Sequence, residues 1–196
     1  MTPFRLGLTG SIGMGKSTTA AMFADHGLPV WDADAAVHRL YGAAGPATAA
    51  LLPAFPEAVT ANGINRTALK SRISTDPAAL PLLESLIHPL VAADRAAFLS
   101  TTTADIVILD IPLLFEKATQ TDMHATLLVT APDALQRARV LARPGMTEQQ
   151  FETLLARQLP DAQKRSLATH IVETLSLDAT RAYVTSLIAH IRASHA

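Results

Sequence analysis

Gly10-Ser11-Ile12-Gly13-Met14-Gly15-Lys16-Ser17 satisfies Gly-x-x-x-x-Gly-Lys-[Ser/Thr], a loop whose backbone amides wrap around the phosphates of a nucleotide. The glycines allow close approach of the backbone to the anion. Lys16 brings a point charge to the β and γ oxygens, and the Ser17 hydroxyl suits the coordination shell of a Mg²⁺ ion. The flanks have the order such a loop needs. Phe4 to Leu8 upstream predicts a strand, and Ser17 to Ala24 downstream predicts a helix whose N-terminus faces the anion. Binding of nucleotide phosphates by residues 10 to 18 is the first expectation.

Outward from the loop, short apolar runs recur at Phe4 to Leu8, Leu28 to Trp31, Ile106 to Leu109, Leu127 to Val129 and Ile171-Val172, alternating with helical stretches. Continuous apolar strands separated by helices predict an α/β fold with a five-stranded parallel sheet covered on both faces. Ligands of such sheets bind beyond the carboxyl ends of the strands, which gives weight to Asp32 and Asp110, each directly after an apolar run. Residues 36 to 100 are too long for a plain crossover and read as a mostly helical insertion that walls the site of a second substrate. Residues 133 to 168 carry Arg137, Arg139, Arg143, Arg157, Lys164 and Arg165, with Pro144-Gly145 ahead of a capping-box pattern, Thr147-x-x-Gln150; they read as a mobile basic lid. The last helix, from about Asp178, places Val184, Leu187, Ile188 and Ile191 on one core-facing stripe.

Composition narrows the function classes. A length of 196 residues sits at the upper end of one ordinary domain and suggests one compact unit. With 17% charged residues and a net charge of −1, the chain has no electrostatic footprint for nucleic acid or an anionic membrane. No stretch approaches a membrane span and no signal peptide precedes the first strand, so a cytoplasmic protein, monomeric or weakly self-associating, is expected. The absence of cysteine excludes disulfides, thiolate catalysis and Cys-based zinc sites, and the seven histidines show no His-Glu-x-x-His spacing.

The accessory signals favour phosphoryl transfer to a small acceptor. Asn-Lys-x-Asp is missing, Asp-x-x-Gly does not occur, and Asp110 is followed by Ile111-Pro112 rather than by a second acid, so the signatures of GTPase switches and hydrolytic motors are lacking. Phosphoryl transfer needs an aligned hydroxyl, a divalent cation and positive charge around the equatorial oxygens. Asp32 suits the acceptor hydroxyl and a metal reached through water, while Asp34 is expected to cap the helix starting near Ala35. Arg143, at the helix-breaking Pro-Gly, is the candidate to clamp the moving phosphoryl group. Arg137 and Arg139 fit either that task or a solvated helix face.

Taken together, these residues resemble the dephospho-coenzyme A kinase family of P-loop kinases. The resemblance runs through Leu8 to Thr18, Asp32-Ala33-Asp34, Asn65-Arg66, His88-Pro89-Leu90, Asp110-Ile111-Pro112-Leu113-Leu114-Phe115-Glu116, Arg143 with Gly145-Met146, and Arg157-Gln158 leading to Lys164-Arg165. It implies ATP and Mg²⁺ as cofactors and phosphorylation of the ribose 3′-hydroxyl of dephospho-coenzyme A. It also implies a nucleotide-binding core of residues 1–35, 101–132 and 169–196, an acceptor-binding region of 36–100, and a lid of 133–168. By position, ATP falls to Gly10, Ser11, Ile12, Gly13, Met14, Gly15, Lys16, Ser17 and Thr18, catalysis to Lys16, Asp32 and Arg143, and Mg²⁺ to Ser17 and, through water, Asp32. The acceptor falls to Thr9, Asp32, Arg66, His88, Leu113 and Glu116. From the residues alone, His88-Pro89 would mark a helix boundary. Two departures stand out: Ser11 replaces the family's second glycine, and Ala168 to Thr174 replaces Ala-Asp-x-Val-Ile-Asp-Asn, with Thr174 at the asparagine. The alternative is a nucleoside monophosphate kinase or another small-metabolite kinase with the same core.

Overall fold

Strand β1 (Phe4–Thr9) is apolar enough to be buried on both faces, and in a computed structural model that describes residues 2–195 it lies at the centre of the sheet. Strands β2 (Val30–Asp32), β5 (Ile106–Asp110), β6 (Ala125–Thr130) and β7 (His170–Glu173) complete it in the order β2-β5-β1-β6-β7. The pairing is parallel, with Leu6 beside Ile108 on one side and Leu8 beside Leu127 on the other. Every residue of β5 and β6 is buried, as expected of strands covered by helices on both faces. Because β5 and β6 flank β1 although they follow each other in sequence, the chain changes direction at β1, and the loop after it opens at that switch point.

The expected strands are all present, with ends displaced by one or two residues. β2 shows why: Pro29 has no N–H to give a ladder, so although its carbonyl accepts from Ile108 N at 2.9 Å, the strand counts from Val30 and runs on to Asp32.

The single compact unit expected from length is replaced by two. One comprises the residues up to Trp31 together with those from Thr103 onward, and the other is Asp32–Thr102. The first holds α1 (Lys16–Asp25), then, after the helical unit, α6 (Asp133–Leu141), α7 (Glu148–Leu155), α8 (Asp161–Leu167) and α9 (Leu177–Ser194). Its core joins Leu6, Leu8, Phe23, Ile108, Leu127 and Val172 to the stripe Val184, Leu187, Ile188 and Ile191 of α9. The capping box of α7 is formed: Gln150 N donates to Thr147 Oγ1 at 3.3 Å and Thr147 N to Gln150 Oε1 at 3.0 Å.

The second unit contains α2 (Ala33–Leu40), α3 (Pro46–Leu51), a two-residue-per-strand hairpin of β3 (Val59–Thr60) and β4 (Gly63–Ile64), α4 (Arg66–Thr75) and α5 (Ala79–Thr101). It buries a core of its own from Leu40, Leu51, Phe55, Leu69, Leu83 and Ile87. The boundary expected from His88-Pro89 does not occur, and α5 continues through Pro89. Ser85 and Pro89 are both exposed, so the carbonyl deprived of its helical donor lies where water can replace it. Among the described residues no helix is long and apolar enough to cross a membrane.

Candidate active site

The segment after β1 turns twice through the left-handed region, at Gly13 (φ 78°) and Gly15 (φ 94°). Both positions also lack room for a side chain: a Cβ on Gly13 would meet Val140 Cγ2 at 2.4 Å, and one on Gly15 would meet Thr174 Oγ1 at 3.2 Å. The turn delivers the chain into α1 with Gly15 as N-cap and no side chain capping it. The first-turn amides thus lack a side-chain acceptor and, with the positive end of the helix dipole, form a ready anion site. Ser17 and Thr18 are exposed on that turn.

The outer side of the loop is held by residues the sequence did not single out for it. Gln136, on α6 and almost wholly buried, donates Nε2–H to the Ile12 carbonyl at 2.8 Å, and Gln158 Oε1 accepts the Ile12 N–H at 3.1 Å. Both backbone groups of Ile12 are therefore engaged within the protein. Thr174 Oγ1 donates to the Met14 carbonyl at 2.8 Å. Only the bare spacing of glutamines around basic residues was available in the sequence, which says nothing about contacts across more than a hundred positions.

Lys16 is turned inward. Its Nζ lies 2.5 Å from Oδ1 of Asp110, with the lysine side chain 16% exposed and the carboxylate 3%. The cation expected at the nucleotide is thus paired with the acid at the carboxyl end of β5, which gives Asp110 a larger place in the site than its sequence neighbours suggested. Thr9, assigned to the acceptor, is fully buried and donates to the Pro112 carbonyl at 3.1 Å, tying the end of β1 to the segment after β5. In that segment Leu114 and Phe115 are buried, whereas Leu113 is partly exposed. Glu116 Oε1 accepts from Leu159 N at 3.0 Å and lies 2.8 Å from Nζ of Lys164, a lysine with no exposed surface.

The basic residues of 133–168 separate into two groups. Arg139 donates to Thr174 Oγ1 and carbonyl oxygen, at 2.8 and 2.6 Å, and Arg165 to Asp161 and Thr130. Arg137 pairs with Glu148. By contrast, Arg143 is exposed at the turn after α6, where Gly145 has φ 76°, and its guanidinium makes no hydrogen bond or ion pair to any described residue.

In the helical unit the cap expected of Asp34 falls to Asp32. Asp32 is the N-cap of α2: its Oδ1 accepts from Asp34 N at 2.8 Å and Ala35 N at 3.0 Å, and its Oδ2 takes no part in the cap. β2 extends one residue further than the apolar run, so the helix begins at Ala33 and Asp34 falls within its first turn. Asn65 caps α4 by accepting from Thr67 N and Ala68 N, which makes Arg66 the first helical residue, its guanidinium 5.5 Å from the centre of the Tyr41 ring. Burial pushes the Tyr41 phenol up, with the charge of Arg66 opposing. His88 is exposed on α5. Among the described residues no hydrogen bond or ion pair joins Asp32, Arg66 and His88 to one another.

An uncapped helix N-terminus with exposed Ser17 and Thr18, and a lysine paired with a carboxylate, describe a phosphate-binding site in general. Comparison with known proteins specifies the family. Residues 4–178 match the family model described as dephospho-CoA kinase. A relative named dephospho-CoA kinase from Cereibacter sphaeroides is 64% identical over 192 residues, covering 98% of each chain. The solved structure of TT1252 from Thermus thermophilus superposes with a TM-score of 0.85 at 38% identity, over 97% of this chain and 98% of that one. A dephospho-CoA kinase from Campylobacter jejuni shares the fold, with a TM-score of 0.71 at 21% identity over 98% of both chains. Sequence likeness that runs through the loop, the acids after the strands and the helical unit alike is that of whole proteins rather than of a shared nucleotide loop, and the chain belongs to the dephospho-CoA kinase family.

Proposed function

We propose that the protein transfers the γ-phosphoryl group of ATP to the ribose 3′-hydroxyl of dephospho-coenzyme A, giving coenzyme A and ADP. The observation that carries this is near-complete coverage at 64% identity to a relative of that name, in a chain whose loop leaves the α1 amides without a side-chain cap. The same coverage disfavours a nucleoside monophosphate kinase.

In this reaction the 3′-oxygen forms a bond to the γ-phosphorus, the bond from that phosphorus to the β,γ-bridging oxygen breaks, and ADP departs. The loop amides of Gly13 to Thr18 hold the phosphates. Lys16 moves from Asp110 to the β and γ oxygens. Asp32, fixed in one rotamer by its cap, keeps Oδ2 for the acceptor hydroxyl and takes its proton. Arg143, whose guanidinium has no partner among the described residues, supplies bidentate charge to the transferring group. The oxygen donors Ser17 and Asp110, with Asp32 through water, suit Mg²⁺, which would neutralise charge on the β and γ phosphates. Arg66, His88, Leu113 and Glu116 belong to the acceptor side. In this scheme 36–100 binds the acceptor, 133–168 closes as a lid over the remaining core, and the enzyme works as a cytoplasmic monomer or weak oligomer without nucleic acid.

The test is ADP release with and without dephospho-coenzyme A, with the product's phosphate located by ³¹P NMR. Release dependent on the acceptor and a 3′-phosphomonoester are expected; AMP phosphorylated with comparable efficiency would refute the reading.

A further inference from the structure

Thr174, the residue after β7, is 6% exposed and has its hydroxyl surrounded by polar partners. Oγ1 lies 2.8 Å from the Met14 carbonyl and 3.3 Å from that of Thr130. The Thr130 carbonyl already accepts the Thr174 N–H at 2.8 Å and is the more distant of the two acceptors, so the single hydroxyl proton goes to Met14. Arg139 acts from the other side, donating Nη1–H to the same Oγ1 and Nη2–H to the Thr174 carbonyl. Two donors of one rigid fork on two oxygens of one residue fix its rotamer, and donation from a cation strengthens the hydroxyl's own donation to Met14.

A trans peptide is planar, with its C=O and N–H on opposite sides. The carbonyl of Met14 and the N–H of Gly15 belong to one such peptide, and Gly15 is the residue at φ 94° whose missing Cβ leaves space that the Thr174 side chain closes. We infer that Thr174, oriented by Arg139, is a positioning residue of the phosphate loop, holding the Met14–Gly15 peptide so that the Gly15 N–H is presented to the nucleotide phosphates. The inference rests on the kinase reading for its nucleotide but not on the identity of the acceptor. It also gives the threonine a function at the position where the family pattern has asparagine.

Thr174→Val keeps the shape and deletes the hydroxyl, Thr174→Ser keeps the hydroxyl, and Arg139→Met deletes the fork. ADP affinity is measured by calorimetry, and the Gly15 amide is followed by ¹H–¹⁵N NMR. In the parent protein ADP moves the Gly15 amide proton downfield. Thr174→Val weakens ADP binding at least tenfold and diminishes that shift, Thr174→Ser restores affinity to within about threefold, and Arg139→Met falls between them. Parent-like affinity with a parent-like Gly15 shift in Thr174→Val overturns the inference. So does a serine variant as weak as valine, which assigns the effect to methyl packing. Should Thr174→Val fail to fold in thermal melts, Arg139→Met decides: unchanged ADP binding and Gly15 shift overturn it. Failure of the acceptor reading is separable, because ADP then binds normally while dephospho-coenzyme A is not phosphorylated.

Discussion

Lys16 is held 2.5 Å from a buried carboxylate, so its removal is felt twice. Lys16→Ala withdraws the charge at the β and γ oxygens, raising the barrier by on the order of 3 kcal/mol or more, as for other groups that stabilise transition-state charge. It also strips a partner from Asp110, at a cost on the order of 1–3 kcal/mol of stability. Steady-state ADP release and urea unfolding read the two losses separately, and turnover within tenfold of the parent would exclude the lysine from the chemistry. Asp32 offers a cleaner experiment because asparagine caps a helix as well as aspartate does. Asp32→Asn keeps the cap on α2 but removes the base, and kcat should fall by roughly 10²- to 10⁴-fold with little change in melting temperature. Asp34→Asn removes only a first-turn charge, worth about 0.3–1 kcal/mol to the helix, and leaves kcat near the parent value. Equal kinetic losses would refute this division. The loop itself was legible because backbone geometry permits so few residue types at Gly13 and Gly15, and a phosphate calls for a cation at Lys16. Which aspartate caps was not, since that depends on where β2 stops, and the apolar run ends one residue before the strand does.

Between elements, the strongest long-range tie from the segment after β5 is Glu116 to Lys164 on α8. Both the lysine and the carboxylate are withdrawn from water, and breaking such a pair from one side leaves an uncompensated charge, a loss of roughly 3–5 kcal/mol. Glu116→Gln and Lys164→Met should each destabilise strongly, whereas the double variant, which buries no lone charge, should recover much of the loss. A denaturation cycle in which the two effects simply add would show that the pair is not coupled. Lys164 and Arg139 were grouped in the sequence with a basic lid because charge alone cannot distinguish a solvated lysine from one with a partner 48 residues away. Short elements were hidden for a related reason. The hairpin of β3 and β4 has two residues per strand, below the length at which alternation is detectable, and only Asn62-Gly63 signals its turn. The long parallel strands, fully apolar and bounded by helices, were visible from pattern alone.

At the scale of the molecule, dependence of stability on acid should be carried first by imidazoles of the sheet-containing unit. His124 Nδ1 accepts the Arg5 N–H at 2.8 Å, which makes the ring a neutral acceptor, and the ring stacks on Phe4 at 5.2 Å. Its pKa is lowered, chiefly by partial burial and then by the charges of Arg5 and His195; that of His170 is lowered by burial and by the neighbouring His190. The folded protein therefore resists protons that the unfolded chain accepts near the ordinary imidazole value of about 6.5. Below that pH the unfolded state binds more protons, so the stability contributed by these rings is complete above about pH 6.5 and declines as the pH falls toward their lower folded values. Asp105, whose carboxyl is held below its usual range by hydrogen bonds from Arg192, adds its own loss only when the pH drops through the carboxylate range, so the two effects separate. Urea unfolding should thus show lower stability at pH 5.5 than at pH 7.5. His124→Asn, which retains an acceptor for Arg5 but cannot titrate, should flatten that slope. Stability that rises on acidification across this interval, or a slope unchanged in both His124→Asn and His170→Gln, would assign the response to other groups.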